Sequence, residues 1–298
     1  YEVWKTENGN ETNLTGTNAV RLYQETVGLH VIDGVRKTTI SLNLVQDQEY
    51  TILFWAQKKD TGVYNTDVLT DVHYATNFKP GESGYFSNQE NYAAFYAADF
   101  VSDSDTKSRT VILKRPFAQV NLCTLNNKDA AMTSDNYNIS LVSSKMRLDA
   151  VPTTFNVATS AVSNYVAMEF AANTVPSGDD KMITVNGKEY FYAGMNYVFA
   201  GANIVLTYDI QTKLNETVDA NVNNTIQNVP LKENHRTNIV GNLLTSQIDF
   251  EIIVDADFTR FGSGEGKCVL HETVRGYDIF IICDFEDFIF HRSCTSVM

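Results

Sequence analysis

The stretch TTISLNLVQDQEYTILFWAQ, residues 38–57, decides the fold class of this chain. In its first half apolar and polar residues alternate one by one, which is the period of a β-strand with one buried face. Its second half, YTILFWAQ, is apolar on both faces, which predicts a strand in the middle of a sheet. A polar turn at residues 46–48 separates the halves, so the stretch predicts an antiparallel hairpin with one face on a core.

A second β-rich stretch is RTVILKRPFAQVNL, residues 109–122. Its apolar residues again fall on alternate positions on both sides of Pro116. Proline has no backbone N–H and cannot donate to a sheet ladder. The sequence therefore predicts an edge strand or a bulge at Pro116.

One stretch of the body carries a helical pattern, NQENYAAFYAADF at residues 88–100. Its aromatic residues stand three, four and eight positions after the first, at Tyr92, Phe95, Tyr96 and Phe100. This spacing predicts a short helix in an otherwise β-rich chain.

Strand patterns recur about every dozen residues up to residue 258, separated by Gly, Asn, Asp and Lys. This spacing is typical of an all-β sandwich, and two sandwiches of ordinary size fit the length. The polar stretch TLNNKDAAMTSDN, residues 124–136, marks a boundary between them. We therefore expect an N-terminal β-sandwich domain at 1–126, a C-terminal one at 127–258 and an atypical tail at 259–298.

The charge balance restricts the partners. The chain has 23 basic and 36 acidic residues, a formal charge of −13, and no Lys/Arg run offsets it. Such a field repels phosphate backbones and anionic lipid surfaces. Nucleic-acid binding is excluded as an expected function. The start of the chain, YEVWKTENGNET, has neither a basic nor an apolar leader-like region. Either the chain is a processed or trimmed form of a longer precursor, which we expect, or its start is missing.

No catalytic, cofactor-binding or metal-binding residue is assigned from the sequence. The Gly-rich segment at 262–267 departs from a phosphate loop at both ends and is interpreted as a turn. The segment at 102–108 lacks the glycine of a calcium loop and is interpreted as a hairpin turn. The histidines and cysteines match no metal-site spacing. The candidates weighed were His30, His73, His235, Cys123 and a tail set of Cys268, His271, Cys283, His291 and Cys294.

A run of aromatic residues has two interpretations, either as part of the core or as a binding face. Alternation places neighbouring aromatics on opposite faces, so most are expected in the core or in cross-strand pairs. Aromatic rings also stack on the apolar faces of sugars, so the same run is a candidate glycan platform. Its members are Tyr190, Phe191, Tyr192, Tyr197 and Phe199.

Five segments in order resemble the fimbrillin-like surface proteins of Bacteroidales, and more narrowly a subgroup catalogued as a domain of unknown function. The resemblance covers about residues 1–258. Its most specific parts are YFYAGMNYVFAG at 190–201 and NVPLKENHRTNIVGNLLT at 228–245. The others are YTILFWAQ at 50–57, NYAAFYA at 91–97 and LKRPFAQVNL at 113–122.

This resemblance implies two tandem transthyretin-like antiparallel β-sandwich domains with short helical segments. It also implies export as a lipoprotein, display at the outer membrane, and a non-enzymatic role as a pilus subunit or related adhesive protein. In polymerising members proteolysis removes a leading strand, and a neighbour's strand fills the groove by β-augmentation. The implied partners are other fimbrial subunits or copies of the chain itself; a surface module that binds a glycan or a host protein is the alternative. No cofactor is implied.

The resemblance stops at the tail, residues 259–298, where three of the four cysteines lie. One interpretation is a true C-terminal extension in which Ile279–Phe290 is a strand for donation to a neighbour. The other is that a frameshift replaced the native C-terminus. Its apolar, β-prone composition makes the tail prone to aggregation.

Overall fold

A computed structural model shows an all-β protein, which confirms the predicted fold class. The residues it describes are 1–7, 11–15, 19–32, 35–59, 62–75, 85–86, 92–102, 108–125, 139–175, 182–214, 218–244, 249–255 and 277–283. Within these ranges the helical structure consists of the 3₁₀ turn Leu69–Asp71 and the single residue Tyr92, and no helix is long and apolar enough to cross a membrane.

The strands of the first half are short. They are β1 (Glu2–Thr6), β2 (Ala19–Gln24), β3 (His30–Ile32), β4 (Val35–Leu42), β5 (Glu49–Gln57), β6 (Tyr64–Asn65), β7 (Val72–Tyr74), β8 (Tyr85–Phe86), β9 (Ala94–Val101), β10 (Ser108–Ile112) and β11 (Phe117–Thr124).

The strands of the second half include the longest ones. They are β12 (Ile139–Phe155), β13 (Val162–Ala171), β14 (Asn173–Thr174), β15 (Met182–Val185), β16 (Lys188–Phe199), β17 (Ile204–Leu214), β18 (Val218–Val229), β19 (His235–Asn242), β20 (Asp249–Asp255) and β21 (Tyr277–Cys283).

These strands form four sheets. Sheet I has the order β2-β1-β5-β9 and sheet II the order β10-β21-β4-β3. Sheet III is β15-β16-β11-β19-β20. Sheet IV follows β18-β17-β12-β13-β8, with β14 and β7 also paired to β12 and β6 paired to β7. Sheets I and II enclose one core cluster, whereas the larger cluster joins sheets III and IV to the opposite face of sheet I.

Strand β5 lies between the two cores. Tyr50, Ile52 and Phe54 belong to the smaller cluster. On the opposite face, Leu53 lies in the larger cluster and the half-buried Trp55 packs against it. The prediction that this strand is central is confirmed by its pairing with β1 on one side and β9 on the other.

The predicted hairpin between the two halves of residues 38–57 is wrong. β4 pairs with β3 and β21, while β5 pairs with β1 and β9, so the two strands lie in different sheets. Residues 43–48 therefore cross from one sheet to the other. The alternation itself is correct, because Ile40 and Leu42 are buried and Thr39 and Ser41 are exposed. Those buried residues face β5 across the core instead of lying beside it.

The helix predicted at residues 92–100 is also wrong, because Ala94–Val101 is a strand. Ala94 and Tyr96 reach the larger core, and Phe95 and Val101 reach the smaller one. A strand with two buried faces carries apolar residues at consecutive positions and loses the simple alternation. The aromatic residues then fall by coincidence at helical spacing.

Pro116 lies at neither a sheet edge nor a bulge. It stands just before β11, whose eight residues are all buried and which runs between β16 and β19 in the middle of sheet III. Proline is tolerated here because the chain passes from one sheet to the next at this point. Its carbonyl oxygen accepts a hydrogen bond from the Ala200 nitrogen at 3.1 Å.

The domain boundary at residues 126 and 127 stays a prediction. The pairing of β11 with β16 and β19, both from the second half of the chain, favours a boundary N-terminal to Phe117. The transthyretin-like character of each sandwich likewise stays an expectation. In either case the two halves share the larger core, because Trp55 contacts the rings of Phe117, Phe155 and Phe199.

Glu2 is a buried carboxylate that ties β1 to the 3₁₀ turn. It has no exposed surface, and its Oε1 accepts hydrogen bonds from Arg21 Nη1 at 2.7 Å and from the Leu69 nitrogen at 3.0 Å. The Trp4 indole donates to Oε2 at 2.8 Å. Three donors converge on one acid, which satisfies a charge that would otherwise be costly to bury.

Leu53→Ala should destabilise the fold by about 2 to 5 kcal/mol, because it removes a fully buried side chain from the core that joins the two halves. Leu22→Ala is the matched control: Leu22 is 48% exposed, so its truncation should change the free energy of unfolding by less than about 0.5 kcal/mol. Urea unfolding followed by circular dichroism measures both. Equal effects of the two substitutions would contradict the position of Leu53 in the core.

Glu2→Gln should destabilise the fold by about 2 to 4 kcal/mol, although the two side chains have nearly the same shape. The amide presents N–H donors where Trp4, Arg21 and Leu69 already donate. Glu7→Gln, at an exposed position near the end of the same strand, should be close to neutral. Thermal unfolding of both variants in one buffer gives the comparison, and a neutral Glu2→Gln would show that the carboxylate is not needed.

Candidate strand-addition site

The most unusual feature of the fold is the position of β21. It lies between β4 and β10 in sheet II, antiparallel to β4 and parallel to β10. We call the space between β4 and β10 the slot. Because neighbouring strands lie about 4.8 Å apart, the slot is about 10 Å wide and takes one strand.

The register of β21 in the slot is continuous on both sides. Along β4, pairing runs from Tyr277 opposite Leu42 to Cys283 opposite Arg36. Along β10, pairing runs from Asp278 opposite Ser108 to Ile282 opposite Ile112. Each wall of the slot therefore supplies an edge for main-chain hydrogen bonding over the length of the inserted strand.

The buried residues beneath the slot, which we call its floor, are apolar and come from β4 and from the end of β10. Ile40 and Leu42 on β4, Val111 on β10 and Leu113 just beyond it are buried against β5 and β9 of sheet I. These residues alternate with exposed ones such as Thr39, Ser41 and Ile112. Among the described side chains, the core below the slot is thus supplied by the first 113 residues.

The occupant comes from far away in the sequence. Residues 256–276, outside the described ranges, separate β21 from β20. Twenty-one residues span up to about 70 Å when extended. The length of this connection is compatible with insertion into the slot of the same molecule or of a neighbour.

The described parts of sheets I and II also end in exposed apolar strands. β2 forms one edge of sheet I and β3 one edge of sheet II. Val20, Leu22, Val31 and Ile32 are each between 47% and 59% exposed. Unprotected edges of this kind are templates for pairing with another chain.

A cavity of about 750 Å³ lies at the end of the slot where β21 leaves it. Arg36 and Leu113, which flank that end on the β4 and β10 sides, both line it. Its other walls come mainly from the end of β5 and from the segment between β2 and β3, with contributions from Tyr1, the end of β2 and the 3₁₀ turn. They include Tyr1, Gln24, Glu25, Val27, Leu29, Phe54, Trp55, Gln57, Lys58, Lys59 and Leu69.

A salt-bridged cluster ties the first half of the chain to the second. Tyr96 Oη donates to Glu233 Oε1 at 2.8 Å and lies 2.7 Å from Ser160 Oγ. Lys114 Nζ lies 2.8 Å from the same carboxylate oxygen. Burial by itself would lower the pKa of the Lys114 ammonium, but its bonds to Glu233 and Tyr96 outweigh burial and raise that pKa. The cluster holds the start of β11 against sheet IV.

The aromatic run is a core element in the structure. Tyr190, Tyr192, Tyr197 and Phe199 are each less than 9% exposed, so they do not form an open platform for a sugar. Phe199 stacks on Phe117 and Phe155. The expectation of core packing is confirmed for these four residues.

The candidates for metal or nucleophilic chemistry do not converge among the described residues. His30, His73 and His235 lie on β3, β7 and β19, in three different sheets. In the described ranges no group of three or more His, Cys, Asp and Glu side chains could hold a metal ion. Cys123 is buried, and burial raises the pKa of its thiol. The segments at 103–107 and 262–267 and the tail candidates Cys268, His271, His291 and Cys294 lie outside the described residues.

The sequence did not indicate the slot or the cavity. Finding the slot required knowing that β4 does not pair with β5. The one available signal was the connection at residues 43–48, which is longer than the two-residue loop of a tight hairpin. Lys58 and Lys59 carried no signal, because solvated lysines are common at strand ends.

Several solved structures are similar to this chain at low identity. One is a candidate cell adhesion protein from Bacteroides ovatus, with 12% identity, a TM-score of 0.39 and coverage of 85% of this chain and 86% of that one. Another is a fimbrial protein from Bacteroides vulgatus, with 13% identity, a TM-score of 0.38 and coverage of 71% and 78%. Similarity at this level does not define what the present chain does.

No curated protein matches the chain. A family model described as a family of unknown function, DUF6562, matches residues 1–267. That match extends nine residues beyond the end of the predicted resemblance and includes both walls of the slot, and it confirms the expected domain of unknown function. The chain therefore belongs to the DUF6562 family of proteins of unknown function.

Proposed function

We propose that this chain is a non-enzymatic structural or adhesive protein of the cell surface that docks or assembles by β-strand addition at the slot. The slot carries the proposal: two strands of one sheet stand one strand apart over a buried apolar floor, and a distant segment fills the gap. Its partners are other fimbrial subunits or copies of the chain itself.

The extent of the family match supports this proposal. β4 and β10 lie inside residues 1–267, whereas β21 begins at Tyr277, beyond the end of the match. The matched region thus includes both acceptor strands, whereas the strand that fills the space between them here lies outside it. A slot filled by a segment from outside the matched region is suited to accepting a strand from another molecule.

The physical chemistry of the site supports strand addition over small-molecule chemistry. Main-chain pairing on both sides of β21 supplies affinity, and the alternating floor residues Ile40, Leu42 and Val111 supply positions for side-chain recognition. The alternative, a surface module that binds glycans, loses the aromatic run as a platform because those rings are buried. Export to the outer membrane belongs to the proposal and follows from the fimbrillin-like resemblance.

Ile281→Pro in the full chain should open the slot, because proline removes a backbone donor from a strand that is paired on both sides. Backbone amides of β4 and β10 should lose protection in hydrogen–deuterium exchange, while those of β5 and β9 keep it. Ile281→Val, which retains the donor, is the matched control and should leave the protection pattern intact.

A synthetic peptide with the sequence of residues 277–283, carrying serine in place of Cys283, should then bind the opened slot of the Ile281→Pro chain. At a peptide concentration one hundred times the Kd, binding stabilises the folded chain by about 2.7 kcal/mol, which raises the Tm. A scrambled peptide should give no shift. An opened slot that no strand peptide refills would contradict strand addition.

Immunogold electron microscopy of cells that express the precursor should place the protein outside the outer membrane. Label along filaments would assign a stalk subunit, and label at filament ends a tip or anchor subunit. Label confined to the cell interior would overturn the surface assignment, whatever the result of the peptide experiment.

A further inference from the structure

The cavity of about 750 Å³ lies in line with β1. On one side of β1, pairing with β5 begins at Glu2 opposite Leu53. On the other side, the Tyr1 nitrogen donates to the Glu25 carbonyl oxygen at 2.8 Å, and the Glu25 nitrogen donates back to the Tyr1 carbonyl oxygen at 2.9 Å. Because β1 stands between them, residue 25 and β5 are about 10 Å apart, which is two strand spacings. Beyond Tyr1 the space between them is the cavity.

The walls of the cavity are those of a sheet that lacks one strand. Residues 25–29 line it on one side and residues 55–59 on the other. We call the space between these two segments the gap. Arg36 and Leu113 line the cavity from sheet II, and Leu69 of the larger core lines it from the opposite face of sheet I. The gap therefore has the position of one strand in sheet I, about five residues or 17 Å long.

The edge of β5 that faces the gap is unpaired. Main-chain groups of successive residues in a strand point to opposite sides, so those of Tyr1 point to β2 and those of Glu2 to β5. The same alternation directs the N–H and C=O groups of Leu53, Trp55 and Gln57 to the β1 side. β1 reaches Leu53, whereas among the described strands only β9 pairs with Trp55 and Gln57, from the other side. The main chain of Trp55 faces the gap although its indole packs against the larger core.

The wall opposite β5 is held in place by side chains of β2. Gln24 Nε2 donates to the carbonyl oxygen of Thr66 at 2.9 Å, and Arg21 Nη1 donates to the carbonyl oxygen of Asp67 at 2.9 Å. These bonds fix the end of β2, from which residues 25–29 continue. A site whose walls are already positioned loses less conformational entropy when it binds.

The same wall belongs to the segment with the most exposed apolar surface. Among the described residues, six of the twelve exposed large hydrophobic residues lie within residues 19–32. They are Val20, Leu22, Tyr23, Val27, Val31 and Ile32. An apolar surface of this kind, continuous with unpaired main chain, is typical of an edge that another molecule covers. One partner can therefore fill the gap and cover the apolar surface beside it.

We propose that the gap is a second strand-addition site, which accepts an extended segment of a partner molecule in line with β1 and antiparallel to β5. The segment's residue nearest to Tyr1 lies opposite Trp55, and the residue two positions further along the gap lies opposite Gln57. This inference goes beyond the proposed function, because the slot and β21 take no part in it. Two addition sites in two different sheets allow one chain to contact two partners.

The test adds the capped peptide acetyl-Val-Thr-Val-Thr-Val-amide to the full chain and follows amide exchange residue by residue by NMR. At saturating peptide, exchange of the Trp55 and Gln57 amides should slow at least tenfold, and the Tm should rise. The amides of Phe54 and Ala56 bond to β9 and should not change. The control acetyl-Pro-Thr-Pro-Thr-Pro-amide lacks the donors for one wall of the gap and should bind about tenfold more weakly.

A pair of substitutions tests the wall itself. Gln57→Pro removes an N–H group that faces the gap, whereas Gln57→Ala keeps it. Both lose the bond from Trp55 Nε1 to Gln57 Oε1, so they differ in the main-chain donor. Gln57→Pro should weaken peptide binding about tenfold and Gln57→Ala less than twofold. Unchanged exchange of the Phe54 and Ala56 amides shows that β5 is intact in each variant. Equal affinities of the two variants would overturn the proposal.

The outcomes separate this inference from the proposed function. Slowed exchange confined to β4 and β10 would show that the peptide enters the slot alone, which overturns the second site and leaves the proposed function standing. Slowed exchange at Trp55 and Gln57 supports the second site even if no peptide refills the opened slot of the Ile281→Pro chain. Protection of these two amides that grows with protein concentration, without peptide, would assign the occupant to a second copy and overturn a separate partner.

Discussion

The alternation of side chains along β5 is the constraint on which the rest of the structure depends. Tyr50, Ile52 and Phe54 enter the core between sheets I and II, while Leu53 and Trp55 enter or border the core shared with sheets III and IV. One strand thus contributes to two hydrophobic cores. Because a shift of one residue in register would exchange its two faces, β5 fixes the positions of both cores at once. Two halves built around a common layer of this kind resist separation into independent domains.

This layered arrangement also explains where an interaction site can form. Sheet I is covered on both faces, whereas sheet II covers only the smaller core with its inner face. Under the proposed strand addition, a strand in the slot of sheet II would be exchanged while β5 and the larger core remain in position. The buried acid Glu2 and the cluster of Tyr96, Lys114 and Glu233 hold the other contacts of sheet I. Strand exchange at one sheet is then compatible with a rigid body around it.

The sequence was informative for strands with one buried face and misleading for strands with two. The alternation of β4 was recognised correctly, because Thr39 and Ser41 face solvent. β9 was interpreted as a helix, because apolar residues on both of its faces hide the period of two. In β11 the polar residues Gln119 and Asn121 are buried together with their apolar neighbours. Asn121 Nδ2 donates to Asn238 Oδ1 at 2.7 Å, a pairing that depends on a strand more than one hundred residues away.

The sequence by itself determined the all-β class, the acidic charge balance, and membership of a family whose model matches residues 1–267. These are properties of composition, local period and ordered motifs, and each can be evaluated one segment at a time. Only the tertiary structure decided that β4 and β5 belong to different sheets and that β21 stands between β4 and β10. The physical reason is that alternation specifies which side of a strand is buried but not which strand lies beside it. That choice depends on how distant segments share the available edges and cores.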